Sequence, residues 1–217
     1  MLTNIKAVIF DLDGTLIDSM WVWNKIDEDY FKNRNMDLPI GLKNQIEHLS
    51  FDETASYFKK TFSLLDTVEE IKKEWNDIAY VEYLNNVKLK PGVVKFLSLL
   101  KTLNIKIGLA TSNTHSLIDA VLHANGIYHY FDCITLTDEV SRGKNFPDVY
   151  LLAAKKLGIK PEECIVFEDI LPAVKGAKAA GMKVVGVYDD FSKEQKEDII
   201  NQADHYIIGY NELTTAI

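Results

Sequence analysis

The chain has 217 residues, enough for one large domain or for a core with a smaller accessory domain. Its formal net charge of −8 argues against nucleic-acid binding, which requires a basic face, although a local site can still bind an anionic small molecule. No run approaches the ~20 apolar residues of a membrane helix, and the N-terminus shows no basic region followed by an apolar stretch. Cys133 and Cys164 lie in apolar segments without metal-type spacing, which indicates buried, reduced thiols. We therefore expect a cytoplasmic protein that binds neither nucleic acid nor membrane.

The first informative segment is an apolar run at residues 7–10 that ends in Asp11 and Asp13. The run predicts a fully buried strand, and two carboxylates spaced by two residues would share one face beyond its end, where α/β sheets bind ligands. Gly14 allows a sharp turn, and Thr15 adds a hydroxyl beside the acids. Carboxylates this close repel each other unless a cation, a proton or divided roles stabilise them. The alternative interpretation is a strand end followed by an ordinary turn rich in Asp and Gly.

The composition changes after Leu16, and from Ser19 to about Asn86 the sequence is rich in aromatic and charged residues with helical spacing. The pattern predicts four helices, over residues 17–33, 39–49, 52–61 and 67–83. Thr67 with Glu70 three residues later is typical of the capping box that begins a helix. No strand is predicted in this block.

From residue 89 onward, short apolar strands alternate with helices of about ten residues. Helices are predicted over residues 91–103, 115–125, 147–157 and 171–180, and strands over 105–110, 132–136, 163–167, 183–187 and, more weakly, 206–208. This alternation predicts an α/β fold of the Rossmann-like, doubly wound type, with helices on both faces of a parallel sheet. Because the helical block interrupts the pattern after the first strand, we predict a core of residues 1–16 and 88–217 with an inserted α-helical cap domain at 17–87.

Polar side chains follow several predicted strands at the point where each ends. They are Asp11 and Asp13 after the first strand, Thr111, Ser112 and Asn113 after 105–110, and Glu168 and Asp169 after 163–167, with Lys144 shortly before the helix at 147. Taken singly, each group has an ordinary explanation as an exposed strand end, a helix cap or a surface lysine. Because the carboxyl ends of parallel strands meet at one edge of the sheet, we expect these groups to form a common site.

The chemistry of this set points to a metal-assisted phosphoryl transfer. Oxygen ligands without cysteine or histidine favour Mg²⁺ over zinc, and hydroxyls at a helix N-terminus suit a phosphate. Such a set permits phosphoryl transfer to a carboxylate nucleophile, with the metal and a lysine neutralising the developing charge. One aspartate attacks phosphorus, and the other protonates the leaving oxygen and later activates water.

With these motifs in this order, the chain resembles the haloacid dehalogenase-like superfamily over essentially its whole length. The motifs are 11–15, 111–113, 143–148 and 166–169. The resemblance implies that Asp11 is the nucleophile, Asp13 the general acid and base, and Lys144 a catalytic and phosphate-binding lysine. It also implies a phosphoryl-binding role for Thr111 and the two residues that follow it, Ser112 and Asn113, and we count the hydroxyl of Thr15 with them. For Mg²⁺, it implies the side chains of Asp11 and Asp169, the backbone carbonyl of Asp13 and, through water, Glu168.

The helical insertion between the first two motifs resembles the subgroup with a small helical cap, which includes β-phosphoglucomutase, phosphoglycolate phosphatase and sugar-phosphate phosphatases. Two departures stand out: Asn145-Phe146 replaces a Pro-Ala-type pair, which should leave Lys144 usable, and Ile170 replaces a serine, which removes a hydroxyl near the metal.

Within this family, Asp13 favours phosphoryl transfer over dehalogenation, because a halide leaving group needs no proton. We expect a Mg²⁺-dependent phosphatase that hydrolyses a small phosphorylated metabolite through an aspartyl-phosphate on Asp11, and a monomer or weak homodimer. The alternative is a phosphomutase of the β-phosphoglucomutase type. Phe51 stands where that mutase has an arginine, in the loop 48–52, and Trp23 stands where it has a hinge histidine, which favours hydrolysis. A non-catalytic phosphoryl-binding protein is the third reading.

Overall fold

The computed structural model describes residues 2–46 and 51–214, without the side chains of Lys43 and Asn44. Contacts divide the chain into two compact units, Met1–Met20 with Val87–Ile217 and Trp21–Asn86. The assignment of 1–16 and 88–217 to a catalytic core and of 17–87 to a cap domain stays a prediction.

The first unit is built on a six-stranded sheet. The strands of the described residues are β1 (Ala7–Phe10), β2 (Ile17–Asp18), β3 (Lys88–Leu89), β4 (Lys106–Thr111), β5 (Cys133–Leu136), β6 (Cys164–Glu168), β7 (Lys183–Val187) and β8 (His205–Ile207). The sheet order is β5-β4-β1-β6-β7-β8, and every neighbouring pair is parallel. This arrangement confirms the predicted Rossmann-like α/β fold.

The strand β1 lies in the interior of the sheet between β4 and β6, and all four of its side chains are buried, as expected for a strand covered on both faces. On one face Phe10 packs against Phe96, Phe167 and Tyr210, with ring centroids 4.9–6.2 Å from that of Phe10. The central position of β1 puts the residue after it, Asp11, between the ends of β4 and β6.

Helices flank this sheet and fill the inserted unit. The helices of the described residues are α1 (Trp21–Asn33), α2 (Leu42–Ile46), α3 (Phe51–Thr61), α4 (Val68–Asn85), α5 (Val93–Thr102), α6 (His115–Ala124), α7 (Asp148–Leu157), α8 (Leu171–Ala179), α9 (Lys196–Gln202) and α10 (Asn211–Thr214). Sequence analysis missed α9 and α10, because only Ile199 of α9 is buried and α10 is a single turn, so neither carries a clear apolar period. None of these helices is long and apolar enough to cross a membrane.

The predicted helix over 17–33 is wrong at its start. Residues Ile17 and Asp18 form β2, which pairs antiparallel with β3, and α1 begins only at Trp21. The backbone N–H of Lys90 also donates to the carbonyl of Leu16 at 2.9 Å, so two segments of the first unit that are distant in the sequence are hydrogen-bonded to each other. A two-residue strand is too short to show the period of two by which strands are predicted.

The inserted unit has an aromatic core. Tyr30, Phe58 and Trp75 are buried and pack edge to face, with ring centroids 4.8–5.7 Å apart. The predicted capping box is confirmed: the Glu70 N–H donates to the Thr67 hydroxyl at 3.2 Å, and the Thr67 N–H donates to the Glu70 carboxylate at 2.7 Å. The predicted helix over 39–49 is represented by α2, and its residues 47–49 lie outside the described residues.

One close approach in the first unit brings a helix against the segment that carries Lys144. A Cβ added to Gly176 of α8 would collide with the backbone carbonyl of Lys144 and would lie 2.9 Å from that of Phe146. Only glycine therefore allows α8 to pack at this distance.

We expect Gly176→Ala to destabilise the protein by about 1–3 kcal/mol, because the colliding atoms belong to the backbone and cannot rotate away. This cost exceeds the gain of about 1 kcal/mol in helix propensity. Thermal unfolding checks the expectation, with Gly143→Ala as the control, since its Cβ would lie 3.4 Å from Asn145 Oδ1 in ordinary contact. Equal melting temperatures for the two variants would contradict it.

Candidate active site

The turn after β1 brings Asp11 and the next residues alongside β6. The backbone N–H of Asp11 donates to the carbonyl of Phe167 at 3.0 Å, which continues the sheet pairing by one residue. Gly14 has φ +75°, a conformation that favours glycine, and a Cβ at this position would collide with the carboxylate of Asp169. A glycine is therefore required both by the turn and by the close approach.

Three carboxylates form a buried cluster at this edge of the sheet. Ligand oxygens of Asp11, Glu168 and Asp169 all lie within 4.8 Å of one another. The ammonium of Lys144 donates to Asp11 Oδ1 and, at 2.6 Å, to Glu168 Oε1. Four of the predicted site residues thus come together, and three negative groups face one positive group.

The electrostatics of the cluster follow from its burial. Burial raises the pKa of Asp169 well above its usual value, and the charges of Asp11 and Glu168 raise it further. Burial also raises the pKa of Glu168, to about 7, although the charge of Lys144 opposes this change. For Lys144, burial acts to lower the pKa, but the charges of Asp11 and Glu168 raise it above its usual value. The cluster would be stabilised by additional positive charge.

The donor set fits Mg²⁺. Its ligand atoms are carboxylate oxygens, the ligands that hard cations prefer, and no cysteine or histidine of the described residues joins the cluster. Glu168 Oε2 is buried and has no hydrogen-bond partner among residues 2–46 and 51–214. A buried carboxylate oxygen without a donor is costly, and coordination to a cation or its water would remove that cost.

Two side-chain hydroxyls donate hydrogen bonds to the carboxylates of Asp169 and Glu168. Thr15 Oγ1 donates to Asp169 Oδ1 at 3.1 Å, and its predicted contact with phosphate stays a prediction. The hydroxyl of Tyr150, in α7, donates to Glu168 Oε1 at 2.9 Å. Sequence analysis missed Tyr150, although a tyrosine on the buried face of a helix signals a buried partner for its hydroxyl.

Asp13 lies outside the cluster of three side chains. Its carboxylate accepts hydrogen bonds from Ser19 Oγ at 2.6 Å and from Asn113 Nδ2 at 2.8 Å. Asn113, predicted to bind phosphate, therefore contacts the predicted acid and base, and Ser19 was not predicted to take part. Thr111 is buried at the end of β4 and accepts from the Asn113 N–H at 3.1 Å, whereas Ser112 is exposed.

The two departures from the family pattern leave Lys144 in the cluster. Phe146 is exposed and lies under the guanidinium of Arg142, 4.4 Å from its ring centroid. Ile170 precedes the first turn of α8 with an extended backbone, half-buried, and brings no hydroxyl.

Comparison with known proteins identifies the family. The model of haloacid dehalogenase-like hydrolases matches residues 5–181. The chain belongs to this family. A phosphorylated carbohydrates phosphatase of Thermotoga maritima is 31% identical to this chain, and the match covers 84% of this chain and 85% of that relative. A β-phosphoglucomutase of Bacillus subtilis is 29% identical over 84% of the chain and 83% of the relative.

Solved structures agree with the family assignment. A haloacid dehalogenase-family hydrolase of Entamoeba histolytica superposes with a TM-score of 0.80 at 25% identity, covering 97% of this chain and 96% of that one. This chain therefore shares its fold with that hydrolase over nearly the full length of both chains.

We expect Mg²⁺ to raise the melting temperature more at pH 8 than at pH 6. A carboxyl whose pKa rises on folding stabilises the protein below about pH 4.5, and this contribution is lost as the pH rises through about 7 for Glu168. Deprotonation also creates the ligand form, so at pH 8 Mg²⁺ at 100 times its Kd contributes about 2.7 kcal/mol. Differential scanning fluorimetry with and without Mg²⁺ measures the effect.

The control for this experiment is Glu168→Gln, which removes the titrating group. In this variant the Mg²⁺-induced rise should be smaller and should change less between pH 6 and pH 8. A rise in wild type that is equal at both pH values would contradict the assignment of these carboxylates to a cation.

Proposed function

We propose that this chain is a Mg²⁺-dependent phosphatase that hydrolyses a small phosphorylated metabolite through an aspartyl-phosphate on Asp11. The observation that carries the proposal is the buried set of Asp11, Glu168 and Asp169, in which Lys144 donates hydrogen bonds to Asp11 and Glu168. The chain's membership of a hydrolase family supports hydrolysis, and so does its similarity to a relative named phosphorylated carbohydrates phosphatase.

In the first half of the proposed reaction, an oxygen of Asp11 attacks phosphorus and the ester bond to the leaving oxygen breaks. Asp13 gives a proton to that oxygen, so the product leaves as a neutral alcohol. The ammonium of Lys144, already bonded to Asp11, offsets charge that develops on the phosphoryl oxygens. Thr111, Ser112 and the N-terminus of α6 are proposed to bind the phosphoryl group, since hydroxyls and free N–H groups suit an anion.

In the second half, Asp13, now ionised, takes a proton from water as the water oxygen attacks the phosphorus of the aspartyl-phosphate. The bond between phosphorus and Asp11 breaks, inorganic phosphate leaves, and the Asp11 carboxylate is restored. Mg²⁺ bound by Asp11, Asp169, Glu168 and the Asp13 carbonyl would supply further charge stabilisation for the phosphoryl oxygens. The bonds from Ser19 and Asn113 support the role of Asp13, because they fix the direction of its carboxylate.

We expect Asp11→Asn to lower phosphate release at least about a thousand-fold, because an amide is not a nucleophile at neutral pH. The fold should persist, since the change removes one negative charge from a cluster with excess negative charge. Phosphate release and the melting temperature are measured together. The matched control is Asp77→Asn, whose carboxylate is exposed and pairs with Lys73, and which should retain wild-type activity.

Intact-mass analysis after rapid quenching tests the covalent step itself. Wild type with an activated phosphate ester should show a gain of one phosphoryl group, and Asp11→Asn should show none. Substantial hydrolysis by Asp11→Asn would overturn the assignment of the nucleophile.

The charge of the inserted unit favours hydrolysis of a monophosphate over a mutase reaction through a bisphosphate. Residues 21–86 contain thirteen acidic and eight basic side chains. Lys25, Arg34, Lys72 and Lys73 are each paired with an acidic residue of the same unit. Phe51, which stands where the mutase has an arginine, packs on aromatic rings, with its ring centroid 6.2 Å from that of Trp23 and 5.5 Å from that of Trp75.

The mutase remains the alternative, since a relative bears that name. With β-glucose 1-phosphate and a catalytic amount of bisphosphate, we expect release of inorganic phosphate to be faster than isomerisation. Coupled assays for glucose 6-phosphate and for phosphate measure both rates. Isomerisation faster than phosphate release would favour the mutase.

A further inference from the structure

Tyr150 places one polar atom in an otherwise apolar part of the core. Its side chain is fully buried and belongs to an apolar cluster with Ile9, Val166, Val174 and Ala177. A phenylalanine would fill the same volume, and a hydroxyl in such surroundings is costly unless it is bonded. Its hydrogen bond to Glu168 Oε1, 2.9 Å long, is therefore the feature to be explained.

The two oxygens of Glu168 have opposite surroundings. Oε1 accepts from both Tyr150 OH and Lys144 Nζ, at 2.9 Å and 2.6 Å. Oε2 is also buried, yet within the described part of the chain it has no donor. The two donors thus concentrate on one oxygen and leave the other with its full capacity to accept a ligand.

Rotamer preference alone does not fix this arrangement. The last torsion of a glutamate is broad and roughly two-fold, so the direction of the carboxylate depends on its donors. The ammonium of Lys144 lies on a flexible stem with three rotatable donors and can follow either oxygen. The hydroxyl of Tyr150 is attached to a rigid ring packed in the core, and it is therefore the donor that determines which oxygen is held.

We propose that Tyr150 is a positioning residue for the cation site: by holding Glu168 Oε1, it keeps Oε2 available to Mg²⁺ or to one of its water ligands. The inference rests on the Mg²⁺ dependence of the proposed function. Partners of metal ligands that act in this way commonly change metal affinity by about 10-fold or more when they are removed.

The test is Mg²⁺ binding to the unphosphorylated protein without substrate, measured by isothermal titration calorimetry. We expect Tyr150→Phe to raise the Mg²⁺ Kd about 10-fold and to retain the phosphatase reaction at saturating Mg²⁺. The matched control is Tyr130→Phe, which loses a hydroxyl bond to Ser98 in the same unit and should bind Mg²⁺ as wild type does. Circular dichroism of both variants establishes that they fold.

A double-mutant cycle separates positioning from a general loss of stability. Glu168→Gln replaces the carboxylate by an amide of the same shape, which has only one oxygen that can accept a ligand. In this background, adding Tyr150→Phe should change the Mg²⁺ Kd less than two-fold. An equal 10-fold effect in both backgrounds would overturn the inference, because Tyr150 would then act through another group. A lower melting temperature alone does not produce this dependence on Glu168.

The outcomes also distinguish this inference from the proposed function. If wild type binds Mg²⁺ and releases phosphate while Tyr150→Phe has an unchanged Kd, the inference fails and the proposed function stands. If wild type itself neither binds Mg²⁺ saturably nor releases phosphate, both fail. A reduced kcat of Tyr150→Phe at saturating Mg²⁺ with an unchanged Kd also overturns the inference.

Discussion

The excess of negative charge among three buried carboxylates is the constraint on which the rest of the site depends. Ligand oxygens of Asp11, Glu168 and Asp169 lie within 4.8 Å of one another, and Lys144 forms ion pairs with Asp11 and Glu168. Removing such charges from water costs several kcal/mol each, and one lysine does not compensate three. A cluster of this kind is stable in the ionised form only with a further cation, or it takes up protons. The same imbalance that makes the cluster costly thus makes it suited to binding a cation.

The fold creates this proximity through the parallel sheet and two glycines. Asp11 and Glu168 come together because β1 and β6 are hydrogen-bonded neighbours whose carboxyl ends share one edge. Gly14 lets the turn after β1 approach the carboxylate of Asp169, and Gly176 lets α8 approach the backbone of Lys144. Backbone contacts therefore position three charged side chains from distant parts of the sequence, and their free energy offsets part of the cost of bringing like charges together.

The sequence was sufficient to predict the strands of the sheet and the groups at their ends, because buried strands leave apolar runs and the shared edge follows from parallel pairing. It was insufficient for contacts that carry no periodic pattern. The two-residue strand at Ile17, the bond from Ser19 to Asp13 and the bond from Tyr150 to Glu168 each depend on packing between segments distant in the chain or on a single turn. Asn113 shows the same limit in another way: its position was predicted, but its contact with Asp13 was not.

The different environments of Asp11 and Asp13 give a physical basis for different roles. Asp11, the residue proposed to attack phosphorus, is buried beside the ammonium of Lys144 and two further carboxylates. Asp13 is only half-buried and accepts hydrogen bonds from the neutral groups of Ser19 and Asn113. These two bonds orient the carboxylate, which suits the proposed role of Asp13 as the group that gives and takes a proton. Two aspartates separated by one leucine thus have different surroundings, and this difference is the physical argument for assigning them different roles in the proposed reaction.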